Sequence, residues 1–183
     1  NQSAFKRSVT EAVQGIFEEF GGGTRMLKAS RDVYLKPNAI DAKRYCYTRP
    51  EVLEAVIQYF LNVGAGNVYV LENSTQGNYT RLVFESNGYA DVCKQTGAKP
   101  IFLDEERTER FEFRGKPSAK ESSSAGYDLT TFEMSSTVVR ELIKRKNENL
   151  YVNIPKLKTH SMAGVTLGIK NQWAFPRHQD RKF

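Results

Sequence analysis

The 183-residue chain is long enough for one domain with a substantial core and too short for two ordinary ones. Its 39% hydrophobic and 26% charged residues, with no apolar run of membrane-span length, exclude low-complexity and membrane-spanning classes. A net charge of +6 favours an anionic partner: a nucleotide, a phosphorylated metabolite, nucleic acid or an acidic protein.

The first element is an amphipathic helix from about Ser8 to Phe20, because Val9, Ala12, Val13, Ile16, Phe17 and Phe20 recur at helical spacing. Gly21 to Gly23 stop it. A strand follows at Val33-Tyr-Leu35 and should finish at Pro37, which has no amide hydrogen to donate to a ladder. Thr48-Arg-Pro-Glu51 reads as a helix start, with Thr48 as cap, Pro50 in the first turn and Glu51 closing a capping box. Val52, Leu53, Val56, Ile57, Phe60 and Leu61 form its apolar stripe, and Gly64 and Gly66 end it.

Val68 to Leu71 is the next strand. A helix is expected from about Tyr79 to Asn87, a weaker one from Ala90 to Gln95, and a strand at Ile101 to Leu103. The alternation then breaks. Phe111 and Phe113, then Tyr127 and Leu129, alternate with polar residues around a Ser-, Lys- and Gly-rich stretch from Gly115 to Gly126. That pattern predicts a β-hairpin insertion over residues 109–133. Ser135 and Ser136 are candidate caps of a last helix burying Val138, Val139, Leu142 and Ile143, and a strand runs from Leu150 to Ile154. The expectation is a single α/β domain over residues 1–183, Rossmann-like, with a largely parallel sheet flanked by helices.

Ligands in such sheets bind at the carboxyl ends of strands. Three polar clusters fall there: Lys36-Pro-Asn38 with the loop to Thr48 and Arg49, then Glu72 to Gly77 with Asn73 and Ser74, and finally the segment from Lys156 to Asn171. The last cluster is the densest. Lys156, Lys158, Thr159, His160, Gly164, Thr166, Gly168, Lys170 and Asn171 bring charge, hydrogen-bond donors and backbone freedom to one loop. An imidazole that is neutral near pH 7 serves as acid, base or ligand, so His160 is the candidate proton-transfer residue. Lys170 is an anion contact or, if desolvated, a nucleophile.

Other chemistry is disfavoured. No phosphate-loop or dinucleotide glycine motif occurs. Cys46 and Cys93 match no metal or redox spacing and suit a reducing cytoplasm. One strong histidine without a thiol or carboxylate cluster argues against an all-protein metal site. The basic excess after Arg140 has no interleaved aromatics to stack bases, which argues against a dedicated nucleic-acid groove; the alternative is a basic surface that docks an acidic protein or nucleic acid.

Val33 to Asn38, Thr48 to Val52, Gly64 to Ser74 and above all Asn153 to Asn171 together resemble the bacterial and archaeal family known as domain of unknown function 362. Members often carry ferredoxin-like iron–sulfur modules, which implies a ferredoxin-type redox partner. This chain has no such cysteine pattern, so no iron–sulfur cluster is expected in it. The family continues past the Lys170-Asn171 segment, so the chain reads as a fragment or a short member.

A more distant similarity is to lactate racemase, which binds a nickel-pincer nucleotide. Thr48-Arg-Pro50 and the set His160, Ala163, Gly164, Gly168 and Lys170 match its motifs in identity and spacing. That similarity implies Arg49 at the substrate, His160 in proton transfer and Lys170 on a nucleotide-like or nickel-pincer-like cofactor. Where the racemases place a further catalytic histidine this chain has Thr75 to Asn78, so racemisation by two opposed bases is not implied. The expectation is an anionic-ligand-binding domain with isomerase- or oxidoreductase-like chemistry at His160, or else a non-enzymatic interaction module.

Overall fold

A computed structural model describes residues 2–27, 31–74, 78–112, 131–161 and 163–177. Its centre is a four-stranded sheet in the order β3-β2-β1-β6, every pairing parallel. The strands are β1 (Val33–Pro37), β2 (Val68–Glu72), β3 (Lys99–Phe102) and β6 (Leu150–Ile154). Parallel pairing demands a crossover between strands, and the sequence supplies helices for it. They are α3 (Pro50–Asn62) between β1 and β2, and α4 (Thr80–Ser86) with α5 (Tyr89–Thr96) between β2 and β3.

Both faces of the sheet are covered, which is why its strands read as unbroken apolar runs. Val33, Leu35, Val68 and Val70 face a core with Leu53, Ile57, Phe60, Phe84 and Tyr89 from the helices. Tyr34 and Leu71 alternate to the other face and meet Leu103 and Val138. Tyr34 stacks on Tyr69 there, ring centres 4.7 Å apart. Leu35, Leu53, Ile57 and Phe60 are wholly withdrawn from solvent, each burial being worth roughly 1.5–3 kcal/mol before conformational entropy is charged.

The amino-terminal helix α1 spans Gln2–Glu19, so it starts six residues before the expected Ser8. Only Val13 and Phe17 of its stripe are buried, while Ile16 and Phe20 are 57% and 71% exposed. The helix lies on α3 through one narrow ridge, with Phe17 stacked 4.7 Å from Tyr59 and edge-on to Phe60. Gly21 and Gly22, both at positive φ, turn the chain into a short helix α2 (Gly23–Met26), where the Tyr59 hydroxyl accepts the Gly23 amide hydrogen at 2.6 Å.

Strand β3 begins two residues before the expected Ile101. The inserted hairpin pairs β4 (Thr108–Glu112) with β5 (Thr131–Ser135) in antiparallel register. Its expected tip from Gly115 to Gly126, with Phe113, Tyr127 and Leu129, lies outside the described residues. Neither Ser135 nor Ser136 caps the following helix. Ser135 ends β5 and donates its hydroxyl to Glu106 instead. That helix, Val138–Lys144, is wound as a π-helix, closing with an Arg145 amide to Arg140 carbonyl bond; it buries Val138 and Val139, Val138 against the second face.

The expected loop after β6 is more ordered than a loop. Strands β7 (Lys158–His160) and β8 (Gly164–Thr166) form a short antiparallel hairpin, and α6 (Gly168–Asn171) runs into a 3-10 turn (Gln172–Ala174). Among the described residues, no helix is long and apolar enough to cross a membrane.

Candidate functional site

The strand order reverses direction between β1 and β6: the chain steps outward from β1 to β2 and β3, then returns to the other side of β1. At such a switch point the two connections leave in opposite directions and open a crevice at the carboxyl ends. Lys36, Asn38, Asn153 and the β7–β8 hairpin all stand at that edge.

A buried amide network joins the strand ends. Asn38 Nδ2 donates to Asn171 Oδ1 at 2.9 Å. Asn171 Nδ2 donates to the Lys36 carbonyl at 3.1 Å, the Pro37 carbonyl at 3.3 Å and Asn153 Oδ1 at 2.7 Å. Asn153 Nδ2 in turn donates to the Gly168 carbonyl at 2.7 Å. Thr48 does not cap α3. Its hydroxyl accepts the Asn38 amide hydrogen and donates to the Ile154 carbonyl, and Arg49 takes the cap position without a side-chain bond. Glu51 closes no capping box and lies 3.5 Å from Arg49. The Tyr89 hydroxyl, on α5, donates to the Thr48 carbonyl at 2.5 Å. Asn38, Thr48, Asn171 and Gly168 are thus the frame of the crevice.

Lys36 and Glu72 form an ion pair at 2.5 Å, both side chains fully buried. Lys36 also donates to the Pro37 carbonyl, while Glu72 accepts the Ala39 and Asn73 amide hydrogens. Ser74 is buried, its hydroxyl donating to the Ala39 carbonyl and its amide to Thr80 Oγ1. The second polar cluster therefore braces the loop after β1.

The hairpin brings further polar groups to this edge. Side chains alternate along a strand, so Lys158 and His160 share one face of β7 and the exposed Thr159 takes the other. Thr166 sits opposite Lys158 in register. Its hydroxyl is buried and has no hydrogen-bond partner among the described residues. Lys158 Nζ donates to the Cys46 carbonyl at 2.7 Å, tying the hairpin to the loop before α3. His160 Nδ1 accepts the Ala163 amide hydrogen at 3.1 Å, which leaves the proton of a neutral ring on Nε2. Gly164 turns the hairpin at φ +70°, a backbone region costly for residues with a Cβ.

The charge of Lys170 bears on both His160 and Lys158 here. Burial lowers the His160 pKa, and the charges of Lys170 and Lys158 lower it further. Burial likewise lowers the Lys158 pKa; Cys46, Glu72 and Asp41 act in the opposite sense and Lys170 adds to the lowering. Lys156 is half-buried nearby in sequence. Arg49 lies over the Phe5 ring, 4.4 Å from its centre, and no described contact joins it to Lys158, His160 or Lys170.

Elsewhere, four of the described basic residues from Arg140 onward pair locally. Arg145 pairs with Glu141 and Glu148, Arg140 and Lys144 with Glu109, and Arg177 with Glu133. An apolar face flanks the crevice on its outer side. Val165, Leu167, Ile169 and Trp173 are exposed, Ile169 at 91%, around a shallow hollow of about 630 Å³, and Leu157 is exposed as well.

Residues 33–183 match the family described as Domain of unknown function (DUF362). The chain belongs to that family. It is also 31% identical over 175 residues to the thylakoid-associated protein sll1697 of Synechocystis, covering 93% of this chain and 47% of that relative. The chain thus spans about half the length of the curated relative it matches. No solved structure matches it.

A nickel-pincer group asks for two things, an anion cradle for its nucleotide part and ligands for its metal. Lys158 and Lys170 have the charge for the first. Among the described residues, no three of His, Cys, Asp and Glu gather into a metal-binding group of their own. Asn153, Tyr89 and the Cys46 carbonyl are not among the residues that the sequence singles out as site groups, whereas Glu72, part of the second polar cluster there, is the buried ion-pair partner of Lys36. For Asn153 the signal is a polar residue at the end of an apolar strand.

Proposed function

We propose that this DUF362 domain binds an anionic small molecule, a nucleotide-like cofactor being the first choice, in the crevice between β1 and β6. The observation that carries the reading is the placement of Lys158 and His160 on one face of β7 at the strand carboxyl ends, with the charge of Lys170 bearing on both. Like charges held together are costly unless an anion offsets them. The unpartnered Thr166 hydroxyl supports the same reading, since a buried polar group left unmet costs about 1–3 kcal/mol.

The roles follow from the placements. Lys170, with Lys158 and Lys156, attracts the anion; the frame of Asn38, Thr48 and Asn171 holds the backbone still. His160, neutral near pH 7, moves a proton at Nε2 on a carboxylate-bearing ligand, which is isomerase- or oxidoreductase-like chemistry. A cytoplasmic setting suits the two free thiols.

Calorimetric titration of the chain with pyrophosphate and with ADP at low salt tests the binding. Saturable binding weakened about tenfold or more in both Lys158→Met and Lys170→Met is expected, one lost charge-assisted contact being worth 1.5–3 kcal/mol. No binding of either anion, or equal binding by the variants, overturns the reading.

A second reading, contact with another polypeptide, has the apolar face of Leu157, Leu167 and Ile169 in its favour. The locally paired arginines and lysines after Arg140 give it no support as an electrostatic dock.

A further inference from the structure

We propose that Lys158 is a carbonyl-capturing amine, which forms a reversible Schiff base with an anionic aldehyde or ketone held in the crevice. The inference rests on the anion-binding reading and names the reactive group and the ligand class within it.

A lysine amine attacks a carbonyl only when it has lost its proton, and most lysines in proteins are held charged by water or a carboxylate. Lys158 differs from both cases. Its side chain is partly withdrawn from water, and its direct partner is a neutral acceptor, the Cys46 carbonyl at 2.7 Å. Among the described residues, no carboxylate lies within ion-pair distance of it. The carboxylates that reach it at longer range are Glu72, already paired with Lys36, and Asp41, which lies near Lys43. Lys170 presses on it with like charge, an arrangement that favours the neutral amine.

The neighbours suit the step. Nζ attacks the carbonyl carbon and the C–N bond forms as the C=O π pair moves onto oxygen. One proton passes from nitrogen to that oxygen, giving a neutral carbinolamine. Loss of the hydroxyl with the second nitrogen proton releases water and leaves the C=N bond, so no oxidant or reductant is required. His160, on the same face of β7, offers Nε2–H to the departing oxygen, and Lys170 holds the anionic end of the ligand. The amine tethered to Cys46 stands on a hairpin fixed at its base by the Asn153–Gly168 bond.

Pyridoxal 5′-phosphate, an aldehyde that carries a phosphate, is the probe. The wild-type chain is mixed with it at limiting concentration, reduced with sodium borohydride and mapped by peptide mass spectrometry. Lys158 is expected to be labelled about tenfold faster than exposed lysines such as Lys6 and Lys43, and pyrophosphate should protect it. In Lys170→Met the label at Lys158 should need about tenfold more probe, because the anion contact is lost. Lys158→Arg keeps the charge, so pyrophosphate should still bind while the reducible adduct disappears. Labelling spread evenly over surface lysines, with pyrophosphate still bound, overturns the Schiff-base proposal and spares the anion reading. Failure of both pyrophosphate and ADP to bind overturns both.

Discussion

Lys36 Nζ and Glu72 Oε1 meet 2.5 Å apart at the carboxyl ends of adjacent parallel strands, with neither side chain reaching water. An ion in that position is tolerated only because its partner and several main-chain groups replace its hydration. Glu72 collects two backbone amide hydrogens besides the ammonium, and Lys36 spends a further proton on the Pro37 carbonyl. The pair thus fixes where the chain goes after β1 and β2, which is where the crevice begins.

Removing one partner strands the other. Lys36→Met is expected to lower the unfolding free energy by about 3–5 kcal/mol, and the double variant Lys36→Met/Glu72→Leu to recover a large part of the loss. Urea denaturation of the single and double variants measures this. Equal stability of Lys36→Met and wild type would show that the pair is not formed.

Asn171→Ala takes one side chain out of the amide network and leaves Asn38 Nδ2 and Asn153 Oδ1 without their partner. Each buried group left unmet costs about 1–3 kcal/mol. The loss should be local, loosening α6 and the turn that carries Trp173. Trp173 is the sole tryptophan, so a red shift of the emission before any loss of far-ultraviolet helix signal is the expected result. Simultaneous loss of both signals would contradict a local role.

His160 gives a pH dependence of definite sign. Its folded pKa lies below 6.5, so as pH falls the unfolded chain takes up this proton first. The contribution of His160 to stability is intact above about 6.5 and is lost progressively below it, down through the folded pKa. Removing a neighbouring charge should reverse the effect: Lys170→Met is expected to raise the His160 pKa toward 6.5. Imidazole proton resonances, assigned with His160→Gln, report it, and an unmoved titration in Lys170→Met would refute the coupling.

The two thiols should separate cleanly. Burial pushes the Cys93 pKa up to about 11, whereas Cys46 is only partly covered. Iodoacetamide at pH 8 is expected to modify Cys46 in the folded chain and to reach Cys93 only in denaturant, as intact-mass analysis will show. Equal rates in the folded state would mean that the α5 face opens readily.

Legibility in the sequence followed burial. Val33 to Leu35 and Val68 to Leu71 were plain because strands covered on both faces are apolar at every position. The stripe of α3 was plain for the helical reason, yet the stripe of α1 was over-read: spacing shows a face, not how much of it finds a partner, and Ile16 and Phe20 find none deep enough to hide them. Thr48 shows another limit. Its capping pattern is local, whereas the bonds it makes run to Asn38 and to Ile154, 106 positions away. Lys36 reads as a ligand contact from its place at a strand's carboxyl end beside the stiff Pro37, and only the neighbouring strand supplies the carboxylate that draws it inside. The hairpin of Lys158 to Thr166 escaped notice since strands of three residues leave no periodicity to read.

The bond between Asn38 and Asn171 spans 133 positions, which sets when the crevice can exist. A chain leaving the ribosome can gather its first three sheet strands and their helices while the last quarter is still being made. The frame closes only after β6 has docked beside β1 and Asn171 has emerged, so the loop entropy of the whole domain is spent before the crevice takes shape. The frame therefore forms only once the chain has been made through Asn171, and a chain interrupted before that point could hold much of the sheet while lacking the frame.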